Sequence, residues 1–367
     1  MSVSHLRSFA ILASLLASFA NAKAEEPVLN VYNWSDYVAK DTLERFTKET
    51  GIKVKYDVYD SNEVLDTKLM TGKSGYDLVF PSATPFFAQQ VKAGAYLKLD
   101  KKKLPNAVGL DKMVMANLTR SDPGNEYGLP YMMAATGIGY NVEKVKSLLP
   151  DAPIGSWKML FQPAVLEKLK SCGVSLLDTP TEVIPAMLAY QKRNPVSENI
   201  EDLDAAAAEL ISLRKYYKYI HSSKYINDLA NGEICVALGY AGDLVQARAR
   251  GKEGKKPQEI AIFIPKEGAE VNIDVMAIPK DAKHPENAHR FIDFLLRPDV
   301  IADITNETGY ANAVLASSKL IAPEIKSDPV IYPPPESQAK LFTLPVASKD
   351  YERSRARAWT KFRTAKK

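Results

Sequence analysis

Carboxylates and aromatic rings recur together along this chain wherever a strand-like run gives out. Trp34, Ser35, Asp36 and Tyr37 follow the run Val28–Tyr32, Asp178 and Glu182 follow Val174–Leu177, and Tyr240 and Asp243 follow Ile234–Leu238. Ser82 comes after Tyr76–Phe80, and Tyr310 precedes Ala311 and Asn312 in a later loop. Asp274 lies inside an otherwise apolar run, two residues after Asn272. An acid in such a run needs a partner, because a lone buried charge is costly. Carboxylates make charge-assisted hydrogen bonds with protonated amines. Aromatic faces attract the same cations, each contact contributing about 0.5–2 kcal/mol, and they pack against methylenes. The set therefore suits an organic cation, with acids at both ends setting its length.

Each residue also has a plainer role. Glu182 stands three places after Thr179, where it can complete a capping box. Asp36 and Asp243 fall at expected helix starts, where the macrodipole favours any acid. Trp34, Tyr37 and Tyr240 can serve as core aromatics. Only the conjunction points to a pocket.

Catalytic signatures are missing: there is no G-x-S-x-G, H-E-x-x-H or P-loop run, and Gly137-Ile138-Gly139 is too short to use. Two cysteines and four histidines do not build a typical zinc site. Tyr216-Tyr217, flanked by Lys215 and Lys218, reads as part of a solvated helix. No catalytic residue, metal or cofactor is expected.

The elements that must position these residues read as α/β. At 367 residues the chain is long enough for two domains. Strand-like Val28–Tyr32, Ile52–Val58 and Tyr76–Phe80 alternate with helical segments. The first is opened by Asp41 with Glu44 and stopped by Gly51, the second covers Glu63–Met70, and a third starts at Thr84-Pro85. That alternation predicts a largely parallel sheet with helices on both faces. A second block holds Val174–Leu177, a helix from Asp204 to about Tyr219, and Ile234–Leu238. Ile260–Ile264, Ile273–Ile278, the helix Pro285–Leu296 and a basic closing helix from Arg353 follow. β-rich crossings near Tyr131–Tyr140 and near Glu259–Phe263 would join two lobes twice and make a hinged cleft. In open α/β sheets, ligands bind beyond the carboxyl ends of strands.

Arg7, the apolar run Phe9–Ala20 and Ala22-Lys23-Ala24 have the layout of a secretory signal peptide, residues 1–24. The net charge is +4, and removing Arg7 and Lys23 lowers it by two. Such a balance gives no support to nucleic acid or an anionic membrane as partner. In an oxidising compartment Cys172 and Cys235 read as one disulfide, contributing about 4 kcal/mol; two inert buried thiols are the alternative.

The strings Asn30–Tyr37 (NVYNWSDY), Tyr56–Leu65 (YDVYDSNEVL), His221–Gly232 (HSSKYINDLANG) and Tyr332-Pro333-Pro334 strongly resemble the periplasmic polyamine-binding proteins of ABC importers, above all their putrescine-binding branch. The resemblance runs over the mature chain. It implies a two-lobed type II periplasmic-binding fold with a double-crossing hinge, no catalysis, and capture of a polyamine by a monomer that delivers it to membrane permease subunits. Lobe 1 would be 25–132 plus 260–322, and lobe 2 would be 133–259 plus 323–367. Trp34, Ser35, Asp36, Tyr37, Ser82, Glu182, Asp243, Asp274 and Tyr310 would line the ligand site, and Cys172 and Cys235 would pair. Two positions depart. Tyr240 stands where the putrescine binder has tryptophan, and Asn272 replaces an aromatic. Fewer aromatic faces and an added amide open the choice to a longer polyamine or a more polar amine. A binder of another cationic molecule, or a polyamine sensor without a transport role, would carry the same marks.

Overall fold

Alternating apolar residues and well-placed stop signals build the first half of the molecule. The computed structural model describes residues 25–366; the expected signal peptide falls outside the described residues. Eleven strands are described: β1 Val28–Trp34, β2 Lys53–Tyr59, β3 Leu78–Val79, β4 Gly128–Asn141, β5 Val174–Leu176, β6 Tyr219–Ile220, β7 Val236–Tyr240, β8 Ile260–Phe263, β9 Ala269–Ala277, β10 Ala311–Asn312 and β11 Leu341–Phe342. β1 runs parallel to both β2 and β3, as it must when helices Thr42–Thr50 and Asn62–Met70 form the crossovers. Gly51 ends the first helix at φ 73°, donating its N–H to the Thr47 carbonyl. The capping box expected at Asp41 does not form, since the Asp41 side chain accepts no cap bond. Ser61 caps the next helix by accepting from the Val64 N–H.

The sheet order is β2-β1-β3-β9-β4-β7-β5-β6. β4 is the strand that leaves one lobe for the other. Its first part, Gly128–Ala135, pairs antiparallel with β9, and Thr136–Asn141 pairs with β7 and β8. The second crossing differs from the sequence expectation. β8 pairs only along Ile138–Asn141 and so belongs to the second lobe's sheet, which puts residues 260–263 there and not in lobe 1. The return is made by β9, which joins β11 at Ala269–Glu270 and β3 and β4 further along. A short apolar run looks the same whether it ends at a sheet edge or crosses a hinge, and only its pairing partners decide.

Two further bounds shift. The strand expected at Ile234–Leu238 is Val236–Tyr240, which places Tyr240 in the strand itself. The helix expected from Asp204 starts at Ile200, where Asn199 accepts from the Glu201 N–H, and ends at Leu213. Separate cores support the two lobes. Phe46, Phe80, Tyr131 and Phe291 fill the first. Trp157, Phe161, Leu238 and Tyr225 fill the second, closed by Trp359 and Phe362 of the helix Lys349–Thr364. Cys172 and Cys235 are joined in a disulfide with Cα atoms 5.4 Å apart, tying the approach to β5 to that of β7.

Candidate ligand-binding site

The carboxyl ends of β1 and β7 and the middle of β9 meet in a cavity between the two halves of the molecule. Two carboxylates dominate it, one from each half. Asp274 on β9 accepts hydrogen bonds from the Tyr37 hydroxyl at Oδ2 and the Ser82 hydroxyl at Oδ1, both at 2.6 Å. Ser82 is held in turn by the Asn62 amide at 3.0 Å. Asp243, 7% exposed, sits in the first turn of the helix Ala241–Glu253. Its Oδ2 accepts from the Tyr225 hydroxyl and its Oδ1 from the Tyr310 hydroxyl, both at 2.7 Å. Burial pushes each carboxyl up to about 6, only partly offset by these hydroxyl donors. The acid expected to need a partner in its apolar strand has two.

Rings form the rest of the box. Trp34 donates its indole N–H to the Phe80 carbonyl at 2.8 Å, and Tyr59 donates to the same oxygen at 2.6 Å. Their centroids lie 4.7 Å apart, and Tyr240 completes the wall 6.0 Å from Trp34. Tyr37 and Tyr310 meet edge to face at 4.6 Å, so the tyrosines that hold the two acids also brace each other. Gly242 makes this approach feasible, since a Cβ there would lie 2.2 Å from the Tyr310 ring.

All but two of the expected site residues line this cavity. Asp36 does not. Held at φ 54° and exposed, it accepts from Arg250 Nη2 at 2.7 Å. With Gln246 donating to the Asp36 carbonyl at 3.2 Å, that pair fastens the β1 loop to the helix of the opposite lobe. Glu182 is one layer behind the wall, accepting from the Asn272 amide at 3.0 Å and from the Thr136 hydroxyl. Thr179 makes no side-chain cap, so the capping-box role is not realised. Tyr59, Asp60, Ser222, Ser223 and Ala134 line the cavity without having been singled out, and Tyr225 supports it. Tyr59, Asp60, Ser222, Ser223 and Tyr225 lie within the quoted family strings, but nothing local distinguishes a strand tyrosine that faces a cavity from one in a core.

Fixed acids, fixed rings and two lobes suit capture and release of a guest. A model of the bacterial extracellular solute-binding protein family matches residues 41–333. The chain belongs to that family. Members of this solute-binding family are carriers and not catalysts. The chain is 51% identical over 356 residues to the putrescine-binding periplasmic protein SpuD of Pseudomonas aeruginosa, covering 97% of this chain and 96% of that protein. It is 50% identical to the putrescine-binding periplasmic protein PotF of Escherichia coli, covering 96% of each. A solved spermidine/putrescine ABC transporter substrate-binding protein, PotD of Streptococcus pneumoniae, superposes with a TM-score of 0.72 at 25% identity, covering 93% of this chain and 99% of that one. The two-lobed α/β architecture is that of this solute-binding family.

Proposed function

We propose that this solute-binding protein captures a polyamine in its interlobe cavity, outside the cytoplasmic membrane, and hands it to the permease subunits of an ABC importer. The observation that carries the reading is the pair Asp243 and Asp274, one from each lobe, each oriented by two hydroxyls beside Trp34, Tyr37, Tyr59 and Tyr240. An ammonium at either carboxylate gains a charge-assisted bond without reorganising its partners. The methylenes between ammonium groups pack on the rings. Because the two acids belong to different lobes, a guest with two positive ends also draws the lobes together, and the Asp36–Arg250 pair latches them at the rim. The signal peptide would be removed after Ala24, and the mature chain would act as a monomer.

Calorimetric titration of the mature protein with putrescine, cadaverine, spermidine, spermine and agmatine tests this. Saturable one-to-one binding of at least one of these amines is expected. Heats of zero for all of them, with binding of a dicarboxylate or an amino acid instead, would reject the reading.

A further inference from the structure

The two acids of the cavity are held in unequal ways. Everything that fixes Asp274 belongs to its own lobe. Its stretch of β9 bridges to Ser82, and Met276 and Ile278 beyond it enter the core of Phe46 and Phe80. Tyr37, whose carbonyl accepts from the Tyr131 hydroxyl at 2.6 Å, packs in that same core. Ser82 follows β3, and the Asn62 amide that holds it opens the helix Asn62–Met70 of the same half. Asp274 therefore keeps both hydroxyl donors whether the lobes are apart or together. Asp243 does not. Tyr310, which donates to its Oδ1, packs in the first lobe's core, edge to face with Tyr37. Tyr225, which donates to its Oδ2, packs in the second lobe's core beside Leu238 and Leu244 of Asp243's own strand and helix. Parting the lobes withdraws Tyr310 and leaves Tyr225 in place.

Tyr225 is built into that position. It is fully buried, and its hydroxyl accepts the Tyr240 N–H at 3.1 Å while donating to Asp243 at 2.7 Å. One oxygen thus ties the end of β7, where Tyr240 joins the cavity wall, to the acid that follows it. Gly239 admits the ring, since a Cβ there would lie 2.4 Å from it; such a close approach is a common reason for glycine inside a strand. Gly242 makes the same room for Tyr310. Two glycines on one short stretch thereby admit a tyrosine from each lobe to the two oxygens of a single carboxylate.

We propose that Tyr225 is a positioning residue that keeps Asp243 aimed into the cavity while the lobes are apart. A guest lodged first on Asp274 then meets a prepared second acid as the lobes close, and Tyr310 locks that acid afterwards. An arrangement that is competent for only a fraction of the time lowers apparent affinity by that fraction, and fixing it beforehand removes the loss. The two tyrosines therefore act on different steps. Losing a group that prepares the open form slows capture, whereas losing a contact made only after the barrier speeds release. Substitutions at a binding site usually show in release, so an effect on capture is diagnostic of Tyr225.

The inference rests on the polyamine reading, and one experiment separates the two. Stopped-flow tryptophan fluorescence gives association and dissociation rates of putrescine and of spermidine for the mature protein, Tyr225→Phe and Tyr310→Phe. Phenylalanine keeps each ring against its glycine and removes the hydroxyl alone. Tyr225→Phe is expected to slow association at least threefold while dissociation changes less than twofold; a smaller slowing, or a larger change in dissociation, overturns the positioning role alone. Tyr310→Phe is expected to speed dissociation at least threefold while association stays within twofold. In an Asp243→Ala background Tyr225→Phe is expected to leave association unchanged, and a further threefold slowing there would show that the tyrosine does not act through the acid. Should Tyr225→Phe fail to fold, Tyr310→Phe decides: slowed association in that variant would mean that Asp243 is not held before closure. Absence of binding of either amine to the unaltered protein would remove the polyamine reading and this one together.

Discussion

At the scale of single residues the site is defined by how its acids are held. Asp243 and Asp274 each spend one lone-pair direction per oxygen on a tyrosine or serine hydroxyl, which fixes the carboxylate plane. Replacing either acid by alanine removes an ammonium partner and strands two hydroxyls. Losing a charged partner of this kind costs about 1.5–3 kcal/mol. Asp243→Ala and Asp274→Ala are each expected to weaken polyamine binding at least tenfold while the circular dichroism spectrum stays that of the parent; unchanged affinity in both would detach these residues from the ligand. The same carboxyls predict a pH dependence. In the ligand-free protein they titrate at about 6 because of burial, above the roughly 4 of an unfolded aspartate. The folded state therefore holds extra protons between these values, and its stability from these two groups is lost as pH rises through about 6. Bound ammonium groups need the ionised form. The rise in thermal midpoint produced by excess putrescine is thus expected to be smaller at pH 5 than at pH 7, and an equal rise at both would contradict it.

At the scale of elements, two connections invite tests of different size. The disulfide from Cys172 to Cys235 closes a loop of 63 residues, for which chain entropy gives a stabilisation of about 4 kcal/mol. Chemical denaturation of a Cys172→Ser, Cys235→Ser double variant should show a loss of that order. The Asp36–Arg250 pair is partly exposed, and such pairs contribute about 0–1 kcal/mol. Stopped-flow dissociation from Arg250→Ala should accordingly be faster by no more than about fivefold; an unchanged rate would show that the pair does not latch the lobes. Elements were also where the sequence was most and least legible. Val28–Tyr32, Gly51 and the closing helix announce themselves as a β-rich run, a glycine stop and a basic stretch carrying Trp359 and Phe362. The second crossing did not. Ile260–Phe263 and Ala269–Ala277 are both short β-rich runs, and which one bridges the lobes depends on hydrogen-bond partners more than a hundred residues away. Glu182 could be named from its position after a strand, yet its place behind Asn272 is a tertiary fact. Asp36 was named from its neighbours Trp34 and Tyr37, and a left-handed backbone turns it out toward Arg250. Tyr225 carries no local mark of its role, because its hydroxyl meets Asp243 only once the helix Tyr225–Ala230 packs on the helix Ala241–Glu253.

At the scale of the whole molecule, two cores are joined by β4 and β9, and on the proposed reading closure about these strands would bring one acid from each side against a single guest. The most direct test is a crystal structure of the mature protein grown with spermidine. Nitrogens within hydrogen-bond distance of both Asp243 and Asp274, with methylenes against Trp34 and Tyr240 and the lobes closed, is the predicted result. An anion or a metal ion between the lobes, with the amine absent from both carboxylates, would contradict it.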